Sequence, residues 1–309
     1  MAVATGLKGA LLMTYGSPRT MDRADVGDYL ARIRGGKAAD DELLDEFTRR
    51  YQVIGGSPLI EITRAQAAAL GAALDWPAAV GMRFSAPSIA DAIRELAGRG
   101  VDEIAAIILS PQFSPLLMGG YERAVAAARA EVGDGAPGVV VAGAWHDQPA
   151  FITALSQRLA EALAGLPAGE RDHVSILMTA HSLPRRVAEQ EPEYLAQLRD
   201  TAEAVAAATG LAPDRWQFCW QSAGHEPGEW MKPDFADLMP AIAAAGGTSV
   251  IVVPVQFLAD HLEILYDVDV GAREQAERAG VAFHRIASLN VDPGLTAALA
   301  SVARLTLGG

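Results

Sequence analysis

Residues 107–113 read IILSPQF, and residues 251–257 read IVVPVQF, so that the two stretches align without a gap. Each begins with a run of apolar residues and ends at a glutamine followed by phenylalanine. A short run that is apolar throughout, without alternation, is typical of a strand buried on both faces of a parallel sheet. The match therefore predicts two similar halves. A match of seven residues also leaves open two unrelated units, because buried strands resemble one another.

Eight apolar runs of this kind are spread along the chain, and amphipathic stretches separate them. The predicted strands cover residues 10–15, 79–84, 104–109, 139–144, 175–180, 217–220, 249–255 and 281–286, and predicted helices include 88–97, 121–132, 151–164 and 194–208. Alternation of strand and helix predicts an α/β protein with two doubly wound, Rossmann-like domains, each with a four-stranded parallel sheet. The polar loop 166–172 predicts domains at 1–166 and 167–309, facing a cleft, with a last helix free to pack back on the first domain.

Composition and charge exclude several classes of protein. The chain has 309 residues, a formal net charge of −13 and one cysteine. Such an acidic chain is not suited to binding nucleic acid or an anionic membrane over a broad surface. A single cysteine cannot form a disulfide framework or hold an iron–sulfur cluster. No stretch approaches the roughly 18–20 apolar residues of a membrane span, so we expect a cytoplasmic protein without membrane insertion.

Candidate chemical groups follow the predicted strands, where open α/β sheets bind their ligands. His181 ends the fifth predicted strand, and His146 follows the fourth. In the segment 259–270, Glu263 and Asp267 are four residues apart and share one face if the segment is helical. Their spacing leaves three interpretations open: a solvated acidic face, a site for a divalent metal such as iron or zinc, and an acid–base pair with His181.

Six motifs then carry a resemblance to a known family. They are LLMTYGSP (11–18), RRYQVIGGSPL (49–59), LSPQFS (109–114), AHSLP (180–184), CWQS (219–222) with a following W-x-K-P, and VPVQFLADHLEILYD (253–267). In this order and spacing the sequence resembles the ferrochelatases, which insert ferrous iron into a porphyrin. It is most similar to the coproporphyrin III type of Gram-positive and related bacteria, and AHSLP together with ADHLEILYD is the most specific part of the match.

The resemblance implies roles for individual residues. His181 and Glu263 are the implied catalytic and metal-contacting residues on opposite sides of the porphyrin, Tyr15 is the implied axial ligand to product iron, and Asp267 belongs to an implied relay for the metal. The residues implied to bind the porphyrin and its propionates are Tyr15, Arg34, Arg50, Tyr51, Ser57 and His146. Arginine suits propionates because its guanidinium binds carboxylates through two hydrogen bonds. Gly271 stands where the family usually has a third carboxylate, which removes one member of that relay.

The implied reaction is insertion of Fe²⁺ into coproporphyrin III in haem biosynthesis, with release of two protons. Iron is then a substrate, and no prosthetic group or iron–sulfur cluster is expected. A monomer that hands its product to a downstream haem enzyme is expected. The alternatives are a protoporphyrin IX ferrochelatase, a more distant sirohydrochlorin chelatase, and a non-catalytic porphyrin or haem carrier.

Overall fold

The computed structural model of the chain describes residues 6–224 and 228–308, and these ranges form two four-stranded parallel sheets flanked by helices. The strands are β1 (Lys8–Thr14), β2 (Ala78–Met82), β3 (Glu103–Ile108), β4 (Gly138–Val141), β5 (Ser175–His181), β6 (Trp216–Gln221), β7 (Ser249–Pro254) and β8 (Ala282–Arg285). The strand order is β2-β1-β3-β4 in the first sheet and β6-β5-β7-β8 in the second. The predicted fold class is confirmed, and the stretches at 107–113 and 251–257 span the carboxyl ends of equivalent strands, β3 and β7, of two sheets with the same topology.

The central strands explain why the apolar runs do not alternate. All residues of β7 are buried, and β3 is buried from its second residue to its last. β1 pairs in parallel with β2 on one side and β3 on the other, with Leu11 opposite both Ala79 and Ala106. Helices cover both faces of such a sheet, so side chains on both faces must be apolar.

The helices surround these sheets. They are α1 (Arg23–Ile33), α2 (Asp41–Val53), α3 (Leu59–Leu74), α4 (Ile89–Gly98), α5 (Pro115–Val132), α6 (Pro149–Gly165), α7 (Ala168–Arg171), α8 (Arg185–Ala188), α9 (Pro192–Ala208), α10 (Phe235–Ala244), α11 (Arg273–Ala279), α12 (Pro293–Thr306) and a π-helix (Glu263–Ala272). Three of the predicted helices begin earlier than expected, because α5, α6 and α9 each start at a proline. Proline is favoured at the first helical position, where its missing N–H would have no partner in any case.

The segment 259–270 is helical only from Leu262 onward, and its helical part is the π-helix Glu263–Ala272 and not an α-helix. The backbone N–H of Arg273 donates to the carbonyl of Val268, five residues earlier. π-helical turns are rare and frequent at functional sites. The four-residue spacing of Glu263 and Asp267 did not reveal the wider turn.

The two halves share one apolar core, which crosses the proposed boundary at 166/167. One buried cluster contains Leu12 and Ile107 of the first sheet, Ile251 of the second and Leu299 of α12. α12 packs against α3, α6 and β3 of the first half. The described ranges contain no helix that is long and apolar enough to cross a membrane.

Candidate active site

His181 is the last residue of β5, at the carboxyl end of the second sheet. Its backbone N–H donates to Oε1 of Gln256 at 2.8 Å, and its ring Nδ1 lies 2.5 Å from the carbonyl oxygen of Ser182. A carbonyl oxygen only accepts, so Nδ1 carries a proton. In the neutral ring Nε2 therefore has a free lone pair, and Nε2 lies 3.6 Å from Oε2 of Glu263. This pair presents a base or a metal donor to the cleft.

Glu263 is the first residue of the π-helix and has an unusual environment. Its Oε2 atom is buried and has no hydrogen-bond partner among residues 6–224 and 228–308, although about a third of the side chain is exposed. Burial raises the pKa of the Tyr51 phenol, and the negative charge of Glu263 raises that pKa further. A buried carboxylate oxygen without a hydrogen bond is costly. Such an oxygen is available to accept a proton or to contact a cation.

Asp267 is on the same side of the π-helix as Glu263. Burial raises the pKa of Asp267, and the charge of Glu263 raises it further. The Asp267 carboxylate lies 3.3 Å from Nη1 of Arg50, which also pairs with Glu46 at 2.8 Å. The side chains of Asp267 and Arg50 are only 18% and 20% exposed. The two carboxylates are thus not a solvated acidic face, and only Asp267 of the two has an arginine partner.

Tyr15 follows β1, and its side chain is 46% exposed. Its ring lies against Phe84 and Tyr121, with centroid distances of 4.9 and 6.3 Å. Partial burial raises the pKa of the Tyr15 phenol; the nearby Arg83 opposes this effect, and the charge of Glu263 adds to it. Tyr15 and Glu263 therefore belong to the same group of side chains, although one follows the first sheet and the other the second.

The other predicted residues are distributed around this group. Tyr51 is buried in α2, within the electrostatic influence of Glu263. Arg34 is the exposed residue that ends α1, and no described carboxylate pairs with it. The hydroxyl of Ser57 accepts from the N–H of Leu59 at 3.4 Å.

The described contacts of His146 are with α9. Its Nε2 is 3.7 Å from Asp200 of α9, and its backbone carbonyl accepts from Thr201 at 3.4 Å. Its buried Nδ1 has no hydrogen-bond partner among the described residues. None of these described contacts brings His146 to the His181–Glu263 pair.

A buried polar network, which sequence analysis did not identify, holds the π-helix in place. Arg285 of β8 donates to both carboxylate oxygens of Asp269, at 2.7 and 2.8 Å, and lies 3.5 Å from Asp260. Asp260 also accepts from Ser288 at 2.6 Å and from Asn290 at 2.9 Å. Asp260 precedes the π-helix and Asp269 lies within it, so one arginine connects both to the edge of the second sheet.

Two further side chains near the site were also missed. Gln256 accepts from the backbone of His181 and donates to the hydroxyl of Tyr194 at 2.5 Å. Arg83 follows β2 and stacks on Tyr15. Gln256 comes two residues after β7, where the rule that ligands bind at the carboxyl ends of strands points to it, whereas Arg83 lies inside the predicted strand 79–84 and this rule did not identify it.

Comparison with known proteins agrees with this arrangement. The ferrochelatase family model matches residues 7–307. A ferrochelatase from Deinococcus radiodurans is 37% identical over 300 residues, covering 95% of this chain and 94% of the relative. A coproporphyrin III ferrochelatase from Geobacillus thermodenitrificans is 36% identical, covering 95% and 94%. One from Bacillus subtilis is 33% identical, covering 97% and 98%.

Solved structures with the same architecture are also chelatases. SirB from Bacillus subtilis with Fe³⁺ has a TM-score of 0.58 at 11% identity, covering 97% of this chain and 95% of that one. CbiX, described as the terminal enzyme of sirohaem biosynthesis in denitrifying bacteria, has a TM-score of 0.54 at 14% identity, covering 97% and 98%. At such low identity these two show the fold alone. The match over residues 7–307 and the identities above 30% show more, and we conclude that this chain belongs to the ferrochelatase family, lyases that insert a metal ion into a porphyrin.

Proposed function

We propose that this ferrochelatase acts on coproporphyrin III. In the proposed reaction Fe²⁺ enters the macrocycle, two pyrrole N–H protons leave, and the product is iron-coproporphyrin. The observation that carries the proposal is the position of Tyr15, the axial ligand to product iron that the resemblance to the coproporphyrin III type implies. Tyr15 directly follows β1, is partly exposed and lies within the electrostatic influence of Glu263. The relatives from Geobacillus thermodenitrificans and Bacillus subtilis, which are named coproporphyrin III ferrochelatases, add support.

His181 and Glu263 are the proposed acceptors of the two protons. Nε2 of His181 has a free lone pair, and Oε2 of Glu263 has no hydrogen bond. When the imidazole takes a proton, the carboxylate 3.6 Å away stabilises the positive charge. Both protons then pass to solvent through the exposed third of each side chain. The iron ion is a substrate here, and the proposal requires no prosthetic group.

Glu263 is a better candidate than Asp267 for direct contact with incoming iron. Arg50 pairs with the Asp267 carboxylate, whereas in the part of the chain that the structure describes Glu263 has no cationic partner except a protonated His181. Position 271 is a glycine and adds no carboxylate to the relay. Glu263 therefore supplies most of the negative charge that attracts a dication. Asp267 is assigned a secondary role in the passage of the metal.

The substrate carries four propionates, and an arginine without an ion pair suits one of them. Arg34 meets this condition among the described residues, while Arg50 is already paired with Glu46 and Asp267. Tyr15, Tyr51, Ser57 and His146 complete the proposed substrate contacts. Two exposed apolar side chains lie on the same two helices as the arginines: Ile33 on α1 is 37% exposed and Val53 on α2 is 53% exposed. Exposed apolar surface beside arginines suits a flat macrocycle with anionic edges.

Side-by-side assays of iron insertion with coproporphyrin III and protoporphyrin IX test the proposal. Protoporphyrin IX has two propionates, and each added charge-assisted hydrogen bond contributes about 1.5–3 kcal/mol before desolvation. Since about 1.4 kcal/mol is a factor of ten, we expect kcat/KM to be about tenfold or more higher with coproporphyrin III. Arg34→Gln should reduce this preference. Equal turnover of both porphyrins would contradict the coproporphyrin assignment, and binding without any metalloporphyrin formed would indicate a carrier.

A further inference from the structure

Two adjacent glycines, Gly119 and Gly120, occupy the middle of the first half of α5, where glycine weakens a helix relative to alanine. Both are buried, and neither has the positive φ angle that would require glycine. At position 120 a side chain would have no room. A Cβ atom there would lie 1.8 Å from Nη2 and 2.1 Å from Cζ of Arg83. The guanidinium of Arg83 therefore occupies a notch that only glycine leaves open.

From this notch the Arg83 guanidinium stacks on three aromatic rings. Its Cζ lies 4.7 Å from the ring centroid of Phe84, 5.3 Å from that of Tyr121 and 5.9 Å from that of Tyr15. Within residues 6–224 and 228–308, no carboxylate lies within ion-pair distance of this guanidinium. Its attraction for the rings is thus not diverted to an anion of the protein.

The backbone of Tyr15 is fixed independently of this contact. The N–H of Phe84 donates to the carbonyl of Tyr15 at 3.0 Å, and the N–H of Arg83 donates to the carbonyl of Thr14 at 2.9 Å. These bonds continue the pairing of β1 and β2 but leave the Tyr15 side chain free to rotate. The groups that contact the ring are Phe84, Tyr121 and the guanidinium of Arg83.

We propose that Arg83 is a positioning residue for Tyr15: seated over Gly120, its guanidinium holds the Tyr15 ring against Phe84 and Tyr121 in the orientation that binds product iron. The inference rests on the role of axial ligand to product iron that the resemblance implies for Tyr15, and it adds the groups that orient that ligand. Arg83 acts here through Tyr15, without itself touching the iron.

The test uses Gly120→Ala, which displaces the guanidinium while keeping its charge and improving the helix propensity of α5. Gly119→Ala is the matched control, because its Cβ would meet only the flexible end of Arg123, at 3.3 Å. Arg83→Met and Arg83→Lys complete the set of variants.

In protein labelled with fluorotyrosine, the Tyr15 resonance is assigned by its loss in Tyr15→Phe. The ferric coproporphyrin complex of each variant is then examined for the tyrosinate-to-iron charge-transfer band.

We expect Gly120→Ala and Arg83→Met to shift the Tyr15 fluorine resonance and to lower the charge-transfer intensity about two- to fivefold. Arg83→Lys should restore part of both signals, and Gly119→Ala should match the wild type. An unchanged Tyr15 resonance in Gly120→Ala and Arg83→Met would overturn the inference. If Tyr15→Phe instead keeps the charge-transfer band, the axial-ligand proposal fails, and the fluorine resonance still decides whether Arg83 holds the ring.

Discussion

Replacing Glu263 by glutamine should separate catalysis from porphyrin binding. The variant keeps the size of the side chain but removes the charge that faces His181 at 3.6 Å. At an effective dielectric constant of about 20, two unit charges at this distance attract by about 4–5 kcal/mol. Each side chain is about one-third exposed, which lowers this attraction through solvent screening. We therefore take about 3 kcal/mol as the stabilisation of protonated His181 that the substitution removes. This value corresponds to a loss of roughly 10²-fold in kcat.

Glu263→Gln should leave porphyrin affinity nearly unchanged, because Oε2 of Glu263 forms no hydrogen bond that the substitution could break. The free energy of unfolding should stay the same or rise, since the variant removes a buried carboxylate oxygen without a partner and its repulsion of Asp267. The assays are steady-state insertion of iron or zinc, porphyrin binding by fluorescence quenching, and urea unfolding.

Asp267→Asn is the matched control. It removes a charge from the same helix, but from a carboxylate that already pairs with Arg50, so we expect a loss of less than about tenfold in kcat. A similar loss in both variants would refute the distinction between the two carboxylates. Loss of porphyrin affinity in parallel with kcat in Glu263→Gln would show instead that Glu263 binds the substrate.

Three further predictions concern the scaffold of the site. Arg285→Met leaves the carboxylates of Asp269 and Asp260 in a partly buried network without their cation. It should lower the free energy of unfolding by about 3 kcal/mol, measured by urea unfolding, and reduce kcat in insertion assays. Unchanged stability would refute the role of this network. Leu299→Ala should cost about 2–5 kcal/mol, because Leu299 is fully buried in the core shared by both halves, and calorimetry should still record one transition; two separate transitions would show that the halves unfold independently. Burial raises the pKa of the Cys219 thiol, so iodoacetamide should label this residue only after denaturation, and rapid labelling of the native protein would contradict its buried position.

The strands of this protein were predictable because a strand that is buried on both faces is a run of consecutive apolar residues. Seven residues at 251–257 located β7 and its loop, and their match to 107–113 indicated the repeated topology of the two sheets. The predicted strand ends were wrong by a few residues, most at 139–144, where β4 stops at Val141. Strand ends depend on which backbone groups find partners in the neighbouring strand, and local composition does not record this.

The π-helix is a second feature that the sequence alone did not predict. The four-residue spacing of Glu263 and Asp267 indicated a shared face if 259–270 is helical, but it could not distinguish hydrogen bonds to the fourth residue from those to the fifth. Both patterns keep these two side chains on one side of the helix. The tertiary structure also connects this helix to the edge of the second sheet through Arg285, a contact that the local spacing of residues does not record.

The sequence by itself determined the strand pattern, the two-half topology, the family, and the candidate residues His181, Glu263 and Tyr15. Only the tertiary structure decided that Oε2 of Glu263 is buried without a hydrogen bond, that Asp267 pairs with Arg50, and that Arg83 sits over Gly120. The physical reason is the distance along the chain between the partners. Hydrogen bonding, ion pairing and exposure of these groups depend on how β5, the π-helix, α2 and α5 pack across two halves that share one core, and no local pattern of residues encodes that packing.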